Sequence, residues 1–320
     1  MLDKNKLLGG VIGLAIGDAV GVPVEFTSRE YLKKSPVGDK MLGYGTYNQP
    51  VGTWSDDTSM TIATLDTMCA GGLSTGMMMD AFVLWYTRGA YTPHGEAFDI
   101  GGTTRQAIDR YRTGEALESC GLAGEMDNGN GSLMRMLPMI FYIYLRKGTE
   151  ITPKAVELIY EVSGLTHANI VSKVACVYYV YIGINILLFG YQRGLQWCIK
   201  QGIADVEEYL GEGCKNVLNY TGMDSLKDSL DLEEADIKST GFVVDSLEAS
   251  IWCLYNTNSY KEAVLKAVNL GGDTDTIGAI TGSLAGIFYG EDSIPVAWRS
   301  NLQRYPYLTE ITERFYNQYK

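Results

Sequence analysis

The sequence predicts an all-α fold, a single multi-helix bundle over residues 1–320 with long functional loops. Three observations predict it. The apolar stretches run at helical rather than strand length. In two of them glycines recur four residues apart, which places a stripe of small residues on one helix face. Only 8 prolines occur in 320 residues, which suits long helices, because an interior proline removes a hydrogen bond and clashes with the preceding turn. Val243-Val244 and Tyr178 to Tyr181 carry β propensity, but their flanks continue at helical length and strands do not alternate with helices.

Taken in order, Gly9/Gly10, Gly13, Gly17 and Gly21 mark a first helix able to approach a neighbour closely. Residues 30–55 carry Pro36, Gly38, Gly43, Gly45, Pro50 and Gly52 and read as one long loop, of a length that usually serves function. Helices are expected over 58–71 and 77–88, a turn-rich stretch over 89–102, a helix over 103–111, a loop over 121–132 and an apolar helix over 133–145. Thr152-Pro153 is an N-cap followed by proline at the first helical position. The strongly apolar stretch 169–189 is expected to be the central helix, and the acidic stretch 204–238 a peripheral helix and loop. Ser259-Tyr260-Lys261-Glu262 matches a capping box ahead of a helix over 263–268. A last helix over 277–289 carries Gly278, Gly282 and Gly286 on one face.

The net charge of -12 argues against general nucleic-acid binding, which needs clustered Lys and Arg to replace counterions. It leaves room for a small anion held by backbone N–H groups. The six cysteines, Cys69, Cys120, Cys176, Cys198, Cys214 and Cys253, are widely spaced and form no C-x-x-C. That pattern disfavours a thiolate metal site or a disulfide framework and fits a reducing cytoplasm. Lys4 and Lys6 ahead of an apolar run resemble a weak signal peptide, but Asp18 interrupts the run. The apolar run 174–189 is shorter than the roughly 18 residues of a membrane span and contains Asn185. Both segments are expected to be buried helices, with no membrane association.

Two acidic clusters stand out: Trp54-Ser55-Asp56-Asp57-Thr58 and Gly271-Gly272-Asp273-Thr274-Asp275-Thr276. Each has two carboxylates, hydroxyl neighbours and an apolar helix behind it. Oxygen-only donors suit Mg²⁺ or Mn²⁺ rather than zinc. Either cluster alone reads equally as a helix cap, because Asp, Ser and Thr are favoured at N-caps and acids in the first turn. Two adjacent acids exceed what one cap uses, and four carboxylates together would repel unless cations lay between them. Asn128-Gly129-Asn130-Gly131-Ser132, ahead of Leu133-Met134-Arg135, is either an ordinary turn or an anion-binding loop. Of the two histidines, His94 lies in a turn-rich loop. His167 precedes the central helix, where a capping or structural role is the alternative to a functional one. There is no G-x-S-x-G, no Walker A and no G-x-G-x-x-G after a strand.

With these motifs in order, the chain resembles the ADP-ribosylglycohydrolase family. Gly17-Asp18-Ala19-Val20-Gly21-Val22-Pro23-Val24-Glu25, the first acidic cluster, Phe98-Asp99-Ile100-Gly101 and Gly129-Asn130-Gly131-Ser132-Leu133-Met134-Arg135 carry the resemblance. So do Thr166-His167-Ala168, Gly241-Phe242-Val243-Val244 and the second acidic cluster. The resemblance implies helices around a cleft with two divalent cations, Mg²⁺ or Mn²⁺. Their ligands would be Ser55, Asp56, Asp57, Asp273, Asp275 and Thr276, with Asp275 bridging. It further implies a diphosphate near Asn130, Gly131 and Ser132, a nucleotide contact from His167, and an aromatic face from Phe242. Relatives often carry threonine at Ser55 and tyrosine at Phe242. Gly101 belongs to the motif that carries Asp99, and Gly102 stands where some relatives place an asparagine that touches the ligand.

The expected activity is metal-assisted cleavage at the anomeric carbon of the ribose, with an oxocarbenium-like transition state. Asp99 or Glu25 would activate water or assist the leaving group. The first-choice substrate is ADP-ribosyl-arginine on a modified protein, with free ADP-ribose as product, because Phe98-Asp99-Ile100-Gly101 looks like the arginine-directed branch and an aspartate can pair with a guanidinium. The alternatives are hydrolysis of O-linked ADP-ribose, such as ADP-ribosyl-serine, a non-catalytic ADP-ribose-binding protein, and a di-metal phosphoesterase acting on the diphosphate.

Overall fold

Glycine decides how two helices from opposite ends of the chain meet. Helix α1 (Lys4–Gly21) and helix α14 (Thr274–Tyr289) run antiparallel with their backbones in direct contact. A Cβ on Gly9 would lie 2.2 Å from the Gly286 carbonyl oxygen, one on Gly13 2.4 Å from that of Gly282, and one on Gly17 2.0 Å from that of Gly278. At the end of the stripe a Cβ on Gly21 would lie 2.4 Å from the Asp275 Cα. Two backbones this close leave no room for any side chain, so the expected stripes are the two sides of one interface. The Tyr260 hydroxyl donates to the Gly13 carbonyl at 2.8 Å and the Thr274 hydroxyl to the Gly21 carbonyl at 2.9 Å, which fixes the register.

The computed structural model describes residues 2–211 and 226–320. Among them lie sixteen α-helices and no strand, only isolated bridges, as expected for an all-α fold. After α1 come α2 (Arg29–Lys34), α3 (Asp56–Gly71), α4 (Thr75–Arg88), α5 (Gly102–Arg112) and α6 (Leu117–Cys120). Next are α7 (Leu137–Arg146), α8 (Pro153–Gly164), α9 (Ile170–Arg193), α10 (Leu195–Leu210) and α11 (Leu226–Ser229). Then follow α12 (Val243–Tyr255), α13 (Tyr260–Asn269), α14, α15 (Val296–Asn301) and α16 (Tyr305–Tyr319). Part of the acidic stretch 204–238, Cys214 included, falls outside the described residues.

Several boundaries differ from expectation for identifiable reasons. Helix α3 begins at Asp56 rather than residue 58, because Ser55 is its N-cap and accepts from the Asp57 amide at 3.3 Å. Ser74 likewise caps α4 and moves its start to Thr75. The stretch 30–55 is not one loop: Ser28 caps the short α2, and a 3₁₀ turn covers Gly45–Tyr47. The apolar helix expected from residue 133 starts at Leu137 with Pro138 in its first turn, so residues 131–135 form turns. The capping role considered for His167 belongs to Asn169, whose side chain accepts from the Val171 amide at 3.0 Å.

Helix α9 is longer than its apolar core and, like the segment 4–24, is apolar and long enough to cross a membrane. The bundle covers both: 83% of the α1 window and 78% of the α9 window are buried within the protein. The Tyr179 hydroxyl of α9 pairs with Ser283 of α14 at 2.7 Å inside that core.

Candidate active site

The α1–α14 contact brings the end of one helix to the start of the other, and with them two carboxylates from opposite ends of the chain. Asp18, fully buried on α1, accepts from the Ser55 amide at 2.9 Å, the Thr58 amide at 3.1 Å and the Thr58 hydroxyl at 2.6 Å. It therefore caps α3 from outside and aims that helix's first turn at α14. The Thr276 hydroxyl, in the first turn of α14, donates to Asp57 at 3.2 Å. The two acidic clusters thus face each other, and each is also the start of a helix. Helix capping and a shared acidic site are the same structure here, because a helix N-terminus favours anions.

Two triads of carboxylates have ligand atoms within 4.8 Å of one another: Asp18, Asp57 and Asp275, and Glu25, Asp99 and Asp275. Asp275 belongs to both, the position a bridging carboxylate requires. Burial pushes Asp18 up to about 7. Burial, then the charges of Asp99 and Asp273, pushes Glu25 up to about 9. Burial and mutual repulsion hold Asp56, Asp57 and Asp275 well above the usual carboxylate range. Burial also raises Asp273 and Asp99. None of the ion pairs among the described residues involves these groups. One oxygen each of Glu25, Asp273 and Asp275 is buried without a hydrogen-bond partner. Hard oxygen donors, orphaned and mutually repelling, fit divalent cations. Of the expected ligands Ser55, Asp56, Asp57, Asp273, Asp275 and Thr276, the two triads contain Asp57 and Asp275, and they add Asp18, Glu25 and Asp99 as groups that could hold a cation. Asp18, whose oxygens already accept three donors, supports that set from behind.

Above the carboxylates opens a cavity of about 240 Å³. Glu25, Asp56, Asp99, Asp273 and Thr276 face it on the acidic side; Gly101 and Gly102, at the start of α5, form another wall. Gly129, Asn130, Gly131 and His167 close the far side. Asp57 and Asp275 do not line the cavity and are almost wholly buried, Asp275 within 4.8 Å of the lining carboxylates of Glu25 and Asp99. Asp99 stands in the left-handed backbone region, with φ of 61°, an uncommon conformation that clusters at functional sites. The Tyr47 hydroxyl donates to Asp99, and the Tyr47 ring packs on Phe98 with centroids 5.2 Å apart.

The Gly129–Gly131 loop is tied to the 241 loop by a bridge, in which Asn130 N donates to Gly241 O and Val243 N to Asn128 O, each at 3.0 Å. The Asn130 side chain donates to Asp273 at 2.8 Å and to Ser246 at 2.9 Å, so it orients an acidic residue besides lining the cavity. Ser132 differs from expectation. Its hydroxyl is buried, accepting from Ser163 at 3.0 Å and contacting Cys176, and the residue is wholly buried and does not line the cavity. Phe242, 42% exposed, stands next to Gly241 at the mouth. His94 is exposed and pairs with Thr53.

Sequence reasoning did not assign Asp18, Tyr47 or Phe26 to the site. Asp18 had a signal, a lone acid within a strongly apolar helix. Tyr47 had none, since only the folding of residues 35–50 brings it to Asp99. Phe26 lines the cavity, 69% exposed and at φ of 61°.

Comparison with known proteins fits this geometry. The profile of the ADP-ribosylglycohydrolase family matches residues 2–320. The chain belongs to that family. It is 32% identical over 316 residues to the ADP-ribosylarginine hydrolase Tri1 of Serratia proteamaculans (strain 568), covering 98% of this chain and 79% of that protein. It is 29% identical over 300 residues to the ADP-ribosyl-[dinitrogen reductase] glycohydrolase of Rhodospirillum rubrum, covering 93% and 90%. A solved ADP-ribosylglycohydrolase-related protein complex superposes with a TM-score of 0.78 at 25% identity over 99% of both chains. In this ADP-ribosylglycohydrolase the two acidic helix starts face each other beside the cavity.

Proposed function

We infer that this ADP-ribosylglycohydrolase cleaves the N-glycosidic bond between ADP-ribose and an arginine side chain of a modified protein, releasing ADP-ribose. One observation carries the reading: Asp275 belongs to both carboxylate triads, one of which includes Glu25 and Asp99, which line the cavity. The arginine linkage is supported by the similarity to the ADP-ribosylarginine hydrolase named above and by Asp99, a carboxylate suited to pair with a guanidinium.

Two divalent cations, Mg²⁺ or Mn²⁺, are proposed to lie between Ser55, Asp56, Asp57, Asp273, Asp275 and Thr276. When bound they supply positive charge that orients ribose hydroxyls and a water. Glu25 and Asp99 act as one acid–base pair that shares a proton, since after burial the charge of Asp99, followed by that of Asp273, disfavours ionisation of Glu25. Water attacks the anomeric carbon, the carbon–nitrogen bond breaks, and the guanidine leaves as the pair transfers the proton. Tyr47 holds one Asp99 oxygen and leaves the other for the leaving group. Asn130, Gly131 and His167 face the diphosphate and nucleotide part, with Phe242 as a flat face at the mouth. The free described cysteines suit the proposed reducing cytoplasm.

The deciding experiment incubates the protein with arginine-ADP-ribosylated and serine-ADP-ribosylated substrates in Mg²⁺, Mn²⁺ or EDTA. Free ADP-ribose from the arginine substrate, lost in EDTA, is expected. Release from the serine substrate alone overturns the linkage, and AMP as product overturns the glycohydrolase reading.

A further inference from the structure

Arg135 carries a buried charge that forms no ion pair among the described residues. It is wholly buried on the 131–135 turns, with Phe82 packed on the guanidinium at 4.8 Å from the ring centre. Its Nη2 donates to the Val162 carbonyl and to the Thr166 hydroxyl oxygen, each at 3.0 Å, while Nε and Nη1 have no partner. The same Thr166 oxygen lies 2.8 Å from His167 Nδ1. All three side chains are buried.

We propose that Arg135 and Thr166 fix His167 in the tautomer protonated on Nε2, so that His167 presents a hydrogen-bond donor to an oxygen of the ligand in the cavity. A guanidinium only donates, so the Thr166 oxygen accepts from it. The Thr166 hydroxyl proton is then directed to Nδ1, which must accept. The opposite tautomer would place two N–H groups on the Thr166 oxygen and strand its proton in the interior, at the cost of an unsatisfied buried donor. The imidazolium is excluded as well: burial, then the charge of Arg135, pushes His167 down to about 3. The Cε1–Nε2 edge of the ring lies against the Gly129–Gly131 loop. A Cβ on Gly131 would stand 2.9 Å from Cε1 and 3.4 Å from Nε2, and one on Gly129 3.5 Å from Nε2. Glycine at both positions leaves that edge open to the cavity, which His167 lines. The oxygen it meets is of the acceptor type carried by a diphosphate or a ribose. That identification rests on the reading of ADP-ribose as ligand; the tautomer does not.

Long-range ¹H–¹⁵N correlation of the imidazoles tests the relay in the full-length protein with Mg²⁺, and the chain's two histidines are separated by a His94→Gln variant. His167 is expected with Nε2 protonated and Nδ1 bare throughout pH 6–8. In Thr166→Val the tautomer preference should weaken. The dissociation constant for ADP-ribose should rise about tenfold, the size of one hydrogen bond, with KM rising more than kcat falls, and Thr166→Ser should restore both. A wild-type ring protonated on Nδ1, or a tautomer unchanged in Thr166→Val, overturns the relay. A changed tautomer with unchanged ADP-ribose affinity overturns the ligand contact. If the wild-type protein does not bind ADP-ribose at all, the functional reading fails while the spectrum still decides the relay.

Discussion

Asp99 and Glu25 sit a few ångströms apart at the same cavity, yet different partners hold them. Asp99 accepts from Tyr47 and is locked in a left-handed backbone conformation. Glu25 has an orphaned oxygen and a pKa pushed up to about 9 by burial and by Asp99. Replacing Asp99 by Asn removes the ionisable partner with little change in shape. It should lower kcat by about 10²–10⁴-fold, the usual range for an acid–base residue, with a smaller change in KM, measured on arginine-ADP-ribosylated protein. Asp57→Ala and Asp275→Ala should each abolish cation-dependent turnover. If these variants stay folded, bind metal normally and turn over at the wild-type rate, the dinuclear arrangement is wrong. The residues legible in the sequence were those in short motifs, such as Asp56-Asp57 and Asp273–Asp275. Tyr47 was not legible, because its role comes from a turn that no local pattern distinguishes.

Helix pairing supplies the site's dimensions. Because α1 and α14 touch backbone to backbone, a methyl group at Gly17 would meet the Gly278 carbonyl at 2.0 Å. Gly17→Ala should therefore push the helices apart and lower stability by about 1–3 kcal/mol or more, the cost of overpacking, read from a thermal or denaturant melt. The same change should weaken cation binding, since Asp18 and Asp275 separate with the helices. Gly76→Ala is the control. Gly76 lies in the first turn of α4 with nothing within 4 Å of an added Cβ, so this variant should be neutral or stabilised by up to about 1 kcal/mol through helix propensity. The helical periods and the glycine stripes were readable from spacing. The partner of each stripe was not, because i, i+4 spacing names a face but not what covers it.

The assembled molecule concentrates negative charge in its own interior, and this links stability to pH. Asp18 and Glu25, at about 7 and about 9 when folded, titrate near 4 in the unfolded chain. Between those values the folded state binds more protons than the unfolded state, so stability falls as pH rises. In EDTA the Tm should therefore drop from pH 5 to pH 8. Mg²⁺ or Mn²⁺ displaces those protons, so the gain in Tm on adding cation should be larger at pH 8 than at pH 5. Equal gains at both pH values, or none, would count against a cation site among these carboxylates.

The helical class, the order of the motifs and the two acidic clusters follow from the chain alone, because periodicity, capping preference and short motifs act between residues near in sequence. That each cluster starts a helix and also faces the other is decided only by folding. Residues 18, 57, 99 and 275 converge through close packing of α1 on α14 and through the loops that carry Tyr47 and Asp99. Those contacts span most of the chain, and their geometry depends on backbones meeting across the bundle, which no local pattern encodes.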